Sequence, residues 1–199
     1  MTNPLTIAAT TAILRDLLNN QIVRKRITVM VGDVAVTTLP LDRIQHGPDE
    51  RAQLNLFLYR VTPNTRWLQP RPAAREGQGR PVPSLALDLH YLVTAFGQQD
   101  FQAEILLGFA IQVMQESAVL SAGELRSILT AAAKNVTGGA AAALAEFAES
   151  GFTDSIDSLE IRPEFANSEE ISRIWSTIQS PYRPSVAYKV SAVPGSSGQ

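Results

Sequence analysis

The chain holds two histidines, His46 and His90, and His90 has the better setting for chemistry. Asp88 stands two residues before it in Leu87-Asp88-Leu89-His90-Tyr91-Leu92. On an extended strand, side chains two apart share a face, so a carboxylate there can orient an imidazole as a base. A base needs a nucleophile or an activated water, and no serine lies in a Gly-x-Ser-x-Gly turn. A polar pair satisfied within a half-buried sheet accounts for both residues without any reaction, and that is the reading adopted. His46, Asp49 and Glu50 fall in one loop without the spacing of three or four converging metal ligands, and with no cysteine a thiolate site is excluded. Gly77-Gln78-Gly79 lacks the further glycine and following helix of a dinucleotide fingerprint, and no phosphate-binding lysine motif follows it. No catalytic, cofactor-binding or metal residue is therefore assigned, and the chain is not expected to be an enzyme.

The elements that carry these residues are legible from periodicity. Leu85 to Gly97 alternates, with Leu85, Leu87, Leu89, Tyr91 and Val93 on one face and Ala86, Asp88, His90, Leu92 and Thr94 on the other. Gln53 to Trp67 alternates in the same way and stops at Pro63-Asn64. These two stretches are expected to be adjacent central strands. Asn3-Pro4 reads as a helix start, and Ile7, Leu14, Leu17 and Leu18 recur at helical spacing, with Arg15, Asp16 and Asn19 turned away; a helix over about 4–20 follows. Ile27–Val31 and Val34–Thr38, joined by Gly32-Asp33, read as a hairpin, and 40–49 as a loop.

Gln69 to Pro83 is rich in proline, glycine and arginine and is expected to be a long mobile loop between the two central strands. Asp100 is placed as the cap of a helix carrying Leu106, Phe109, Ala110, Val113 and Met114. Ser121 with Glu124, and Asn167 with Glu170, form capping boxes for two more. Ala140–Glu149 suits a short helix, Leu159–Pro163 a brief strand, and Ser185–Val193 a final alternating strand. Helices interrupt the strands irregularly, so the fold class is α+β, one domain over 1–193 with a mixed, mainly antiparallel sheet and packed helices, followed by a flexible tail over 194–199.

Composition narrows the function classes. At 199 residues and 45% hydrophobic content the chain is long enough for one domain with a substantial core. Its charged fraction of 18% is low against a usual value of about 25%, which fits a surface partly covered by other subunits. A net charge of −2 argues against general nucleic-acid affinity. No apolar run reaches the roughly 18 residues that span a bilayer, and the N-terminus has no signal-peptide pattern, so neither nucleic acid nor membrane is an expected partner and assembly in the cytoplasm is the default.

Several segments resemble one known family. Leu56-Phe57-Leu58-Tyr59-Arg60-Val61-Thr62-Pro63-Asn64, Leu87-Asp88-Leu89-His90-Tyr91-Leu92, Ala103-Glu104-Ile105-Leu106-Leu107-Gly108, and Trp175 followed by Tyr182-Arg183-Pro184-Ser185-Val186-Ala187-Tyr188 are similar to its signature segments, in the same order. The family is the cap, or tube-terminator, proteins of extracellular contractile injection systems. Arg66-Trp67-Leu68 and Met114-Gln115-Glu116 depart from its usual pattern. The resemblance implies a fold like that of phage tail terminators. It also implies a homohexameric ring that ends the inner tube and anchors the last sheath ring, with the inner-tube and sheath proteins as partners, in a particle assembled in the cytoplasm and released from the cell. Alternatives are a non-catalytic assembly chaperone for tube subunits, or a small hydrolase using Asp88 and His90.

Charge is segregated along the chain. Residues 60–80 hold five arginines and one glutamate, a net of +4, and residues 141–170 hold eight carboxylates and one arginine, a net of −7. Complementary patches of this kind steer encounter and fix register in head-to-tail assembly. Arg66, Trp67, Arg71, Arg75, Arg80, Glu160 and Glu164 are the expected interface residues.

Overall fold

In the computed structural model, which describes residues 5–66, 87–150, 156–165 and 167–194, the two alternating stretches do lie side by side. Strand β2 (Gln53–Pro63) pairs antiparallel with β3 (Leu87–Phe96), with Leu56 opposite Val93 and Phe57 opposite Leu92. They belong to a six-stranded sheet of order β1-β2-β3-β6-β5-β4, completed by β1 (Ala35–Thr37), β4 (Val119–Ser121), β5 (Ile156–Glu164) and β6 (Ser185–Pro194). The helices are α1 (Thr6–Arg24), α2 (Thr28–Val31), α3 (Gln102–Glu116), α4 (Ala122–Lys134), α5 (Gly139–Ser150) and α6 (Ser168–Ile178). All sheet pairings are antiparallel except β1 with β2, so the mixed α+β class holds.

Period two puts Leu54, Leu56, Leu89, Tyr91, Val93, Tyr188 and Val190 on one sheet face. They form a single core with the apolar faces of α1, α3, α4 and α5. Each fully buried leucine there is worth about 1.5–3 kcal/mol. Tyr91 is completely buried but not orphaned, because its hydroxyl lies 2.8 Å from Thr11 Oγ1 on α1. The opposite face carries a smaller cluster of Leu41, Ile44, Leu92, Phe96, Trp175 and Ala187, over which α6 lays Ile171, Ile174 and Ile178.

Three sequence expectations need correction. Ile27–Val31 is not a strand, and the hairpin does not exist. Ile27 and Val31 are buried while Thr28, Val29 and Met30 are exposed, an i, i+4 pattern that fits one helical turn. Gly32 at φ +77° then ends it, and β1 pairs parallel with β2 instead. Asp100 does not cap α3. Phe101 occupies the cap position at φ +64°, and the Gln102 side chain accepts the Gln99 N–H at 3.2 Å while donating to the Val31 carbonyl at 2.7 Å. Asp16 is not turned away. It is buried, accepting from Asn20 Nδ2 at 2.8 Å and from Asn135 Nδ2 at 3.0 Å, which ties α1 to the end of α4. The loop at 40–49 contains a 3-10 turn over Leu41–Arg43, with Leu41 and Ile44 buried.

The Asn167–Glu170 and Ser121–Glu124 caps are both present. Asn167 Oδ1 accepts the Glu170 N–H at 2.7 Å, and the Glu124 carboxylate accepts from the N–H and hydroxyl of Ser121. α1 runs four residues past Asn20, and its expected start at Asn3-Pro4 lies outside the described residues. The Gln69–Pro83 loop lies outside them as well. β6 continues through Pro194, paired with Ile156, one residue into the expected tail, and 195–199 are not described.

Candidate functional site

The polar residues of interest gather on one half of the second sheet face. Cross-strand register sets this. His90 lies opposite Arg60 on β2 and Lys189 on β6, and Glu164 on β5 lies opposite Ala187 of β6. A bulge between Leu58 and Arg60 adds one residue to β2, which turns Arg60 to the same face as His90.

His90 Nδ1 is 2.7 Å from Glu164 Oε2 and 3.2 Å from Arg60 Nη2, while its Nε2 is 2.8 Å from Thr62 Oγ1. The shorter contact places a proton on Nδ1, which donates to Glu164. Arg60 then donates through Nη2 to Glu164 Oε1 and through Nη1 to Glu170 Oε1 on α6, each at 3.1 Å. Tyr59 donates to Glu164 Oε2 at 3.2 Å. Partial burial alone would raise the Glu164 carboxyl, but the His90 hydrogen bond and charge, with Tyr59 and Arg60, outweigh it and hold the group below its usual range. Burial, reinforced by the neighbouring Glu164 charge, pushes the Tyr59 hydroxyl up to about 12.

Asp88 does not meet His90. Its Oδ1 accepts from Asn64 Nδ2 at 2.7 Å and from Ser191 Oγ at 2.6 Å, and Lys189 Nζ stands 3.8 Å from Oδ2. The two residues that sequence spacing put together thus serve two separate, internally closed clusters. A third cluster was missed. Glu50 is buried, accepting the Gly97 N–H at 3.0 Å and Arg183 Nη2 at 2.6 Å, with His46 Nδ1 3.8 Å away. It clamps the 40–50 loop to the end of β3 and to the approach to β6. Its sequence signal was slight, an acidic residue beside the breaker Gly47-Pro48. Among the described residues no group of three or more His, Cys, Asp or Glu is placed to hold a metal ion, and no helix is long and apolar enough to cross a membrane.

Of the expected interface residues, Arg66 is exposed in the turn after β2, and among the described residues only its backbone N–H is bonded, to Asn64 Oδ1. Glu160 pairs with Arg162 at 2.7 Å, and Glu164 is engaged as above. Trp67, Arg71, Arg75 and Arg80 lie outside the described residues. Much of the acidic stretch is therefore already paired within the chain, Glu169 with Arg173 and Glu170 with Arg60 included.

These features describe an α+β domain whose polar clusters around His90 and Asp88 are closed by their own partners, while in the Glu50 cluster His46 Nδ1 and Arg183 Nε are buried without a hydrogen-bond partner. The chain belongs to the Pvc16 N-terminal domain family, whose model matches residues 9–199. Two solved structures are similar to this chain. One is a cryo-EM structure of the PVC sheath/tube terminator of an extracellular contractile injection system in the extended state, at 18% identity and a TM-score of 0.44, covering 89% of this chain and 57% of that one. The other is a cryo-EM structure of the anti-feeding prophage tube-terminating cap, at 16% identity and a TM-score of 0.48, covering 90% of this chain and 55% of that one. The chain thus spans little more than half the length of either. No curated protein matches it.

Proposed function

We propose that this chain is a structural terminator of a contractile, phage-tail-like injection particle. In this reading a homohexameric ring of it closes the inner tube and holds the last sheath ring, assembled in the cytoplasm before the particle leaves the cell. The observation that carries the reading is the family match, which spans residues 9–199. It is supported by the two polar clusters around His90 and Asp88, whose hydrogen bonds close within the domain. Contacts to neighbours run through the cations of residues 60–80, of which Arg66 is exposed. Glu160 and Glu164 join them only by exchanging partners they already hold.

Deletion of the coding sequence tests this directly. Electron microscopy should then show tubes of uncontrolled length with unanchored sheath, and particles from the intact strain should contain the chain in a ring of six. Normal tube lengths without the chain would refute the terminator role. Its absence from otherwise normal purified particles would favour the assembly chaperone instead.

A further inference from the structure

The two edges of the sheet are not equivalent. At one edge β4 covers Ser158–Glu160 of β5, the Ile161 N–H is taken by the Ala118 carbonyl at 2.8 Å, and beyond it stands Pro163, which has no N–H. At the other edge β1 covers only Gln53–Asn55 of β2. The cause is the buried side chain of Asn55. It takes the Leu39 N–H on Oδ1 at 3.0 Å and donates to the Leu39 carbonyl at 2.9 Å, which draws the chain after Thr37 off the ladder. From Leu56 to Pro63, β2 then has a ladder partner on the β3 side alone among the described residues. The bond from Ala35 N–H to the Ala52 carbonyl sets which groups face outward. By period two the N–H and C=O of Leu58 point to the open side, and past the one-residue bulge those of Val61 do. Val61 is 41% exposed.

A groove flanks this edge on each face. One, of about 320 Å³, is lined by Ala8, Ala12, Leu56, Leu58, Val136 and Leu144. The other, of about 410 Å³, is lined by Phe57, Tyr59, Ile174, Thr177 and Ile178 together with the ion-paired Arg60, Glu170 and Arg173. An added strand would drop alternate side chains into the two grooves while its backbone bonds to β2, the geometry of strand addition. Cations without a carboxylate partner among the described residues stand near both ends: Arg15 on the rim of the first groove and Arg66 beyond Pro63.

We infer that the open edge of β2 accepts an extended segment of a different protein chain as an added strand, apolar at alternate positions and bearing a carboxylate near each end. A second copy of this chain is a poor occupant. Two β2 edges would set like charges together, and the other sheet edge offers only the three residues of β4 and a proline-blunted β5. The inference goes beyond the terminator reading and does not need a ring.

The test uses the full chain in solution and a nine-residue peptide of alternating valine and threonine with an aspartate at each end. Saturable binding is expected, with amide shifts in NMR spectra concentrated at 56–63. Affinity should fall at least tenfold when the terminal aspartates are replaced by lysines. The exposed substitutions Ala8→Trp and Thr177→Trp, each filling one groove from a helix surface, should each lower affinity by a similar factor with unchanged circular dichroism. Absence of saturation at millimolar peptide, shifts centred elsewhere, or equal affinity for the lysine-ended peptide would overturn it. Normal tube lengths in the deletion strain would refute the terminator role and leave this titration as it stands.

Discussion

One sheet presents two faces held by different physics. The first packs leucines, valines and Tyr91 against four helices in a continuous core. The second is divided: an apolar half lies under α6 and the 3-10 turn, and a polar half is built from His90, Glu164, Arg60, Asp88, Lys189 and Ser191. Apolar burial is non-directional and scales with area, so the first face tolerates any residue that fills its place. The polar half depends on partners at fixed positions, and losing one leaves another group desolvated. The first face supplies most of the stability, and the second fixes which strands lie beside which.

Substitutions on the two faces should separate these roles. Leu56→Ala removes a side chain that is 1% exposed in the main core and should cost about 2–5 kcal/mol, read as a drop in urea midpoint with unchanged slope. Ile174→Ala, on the half-buried face of α6, should cost about 1 kcal/mol, near the ordinary value for a point mutant. Equal losses would mean that α6 belongs to the core as fully as α1 does, and the division between faces would fail.

The next effect tests the polar half alone. Asn64→Ala removes one of two donors to the buried Asp88 carboxylate and should cost about 1–3 kcal/mol. Asp88→Ala in the Asn64→Ala background should cost less than it does in the wild type, because the partner penalty has already been incurred. Strict additivity in this cycle would show that the two residues are not coupled.

The same contrast explains what was legible beforehand. Alternation exposed β2, β3 and β6 because one face of each is apolar, and capping chemistry exposed the starts of α4 and α6. Asp88 and His90 were correctly placed on one strand face, yet their partners come from Asn64, Ser191, Thr62, Arg60 and Glu164, four of them reached only through the register of strands far apart in sequence. Asp16 and Glu50 were missed for the same reason: a buried carboxylate looks like a surface one until the amide or guanidinium that satisfies it has been brought in by the fold. The stretch Ile27–Val31 failed differently. Its β-branched residues favour a strand locally, but burial of Ile27 and Val31 together against the core overrode that preference.

The smallest expected effect concerns Glu164, where the polar half meets solvent. Its side chain is 23% exposed and Arg60 is 41% exposed, so screening limits the yield of the pair, and Glu164→Gln should cost about 1 kcal/mol or less at pH 7. Its pH dependence is the sharper reading. The folded-state carboxyl sits below its ordinary value of 4.5, because the His90 hydrogen bond and charge outweigh partial burial. A carboxyl lowered in this way contributes stability that is fully present above the unfolded value and is lost as pH falls through the folded one. The gap in thermal midpoint between wild type and Glu164→Gln should therefore narrow as pH falls below about 4.5 and close once pH has passed below the lowered folded-state value, where both carry an uncharged side chain. The Leu56→Ala gap should not close over the same range, since no proton is linked to it. A Glu164→Gln gap that stays constant through that fall in pH would show that the carboxylate's charge does nothing for the fold and that its hydrogen-bonding shape alone is in use.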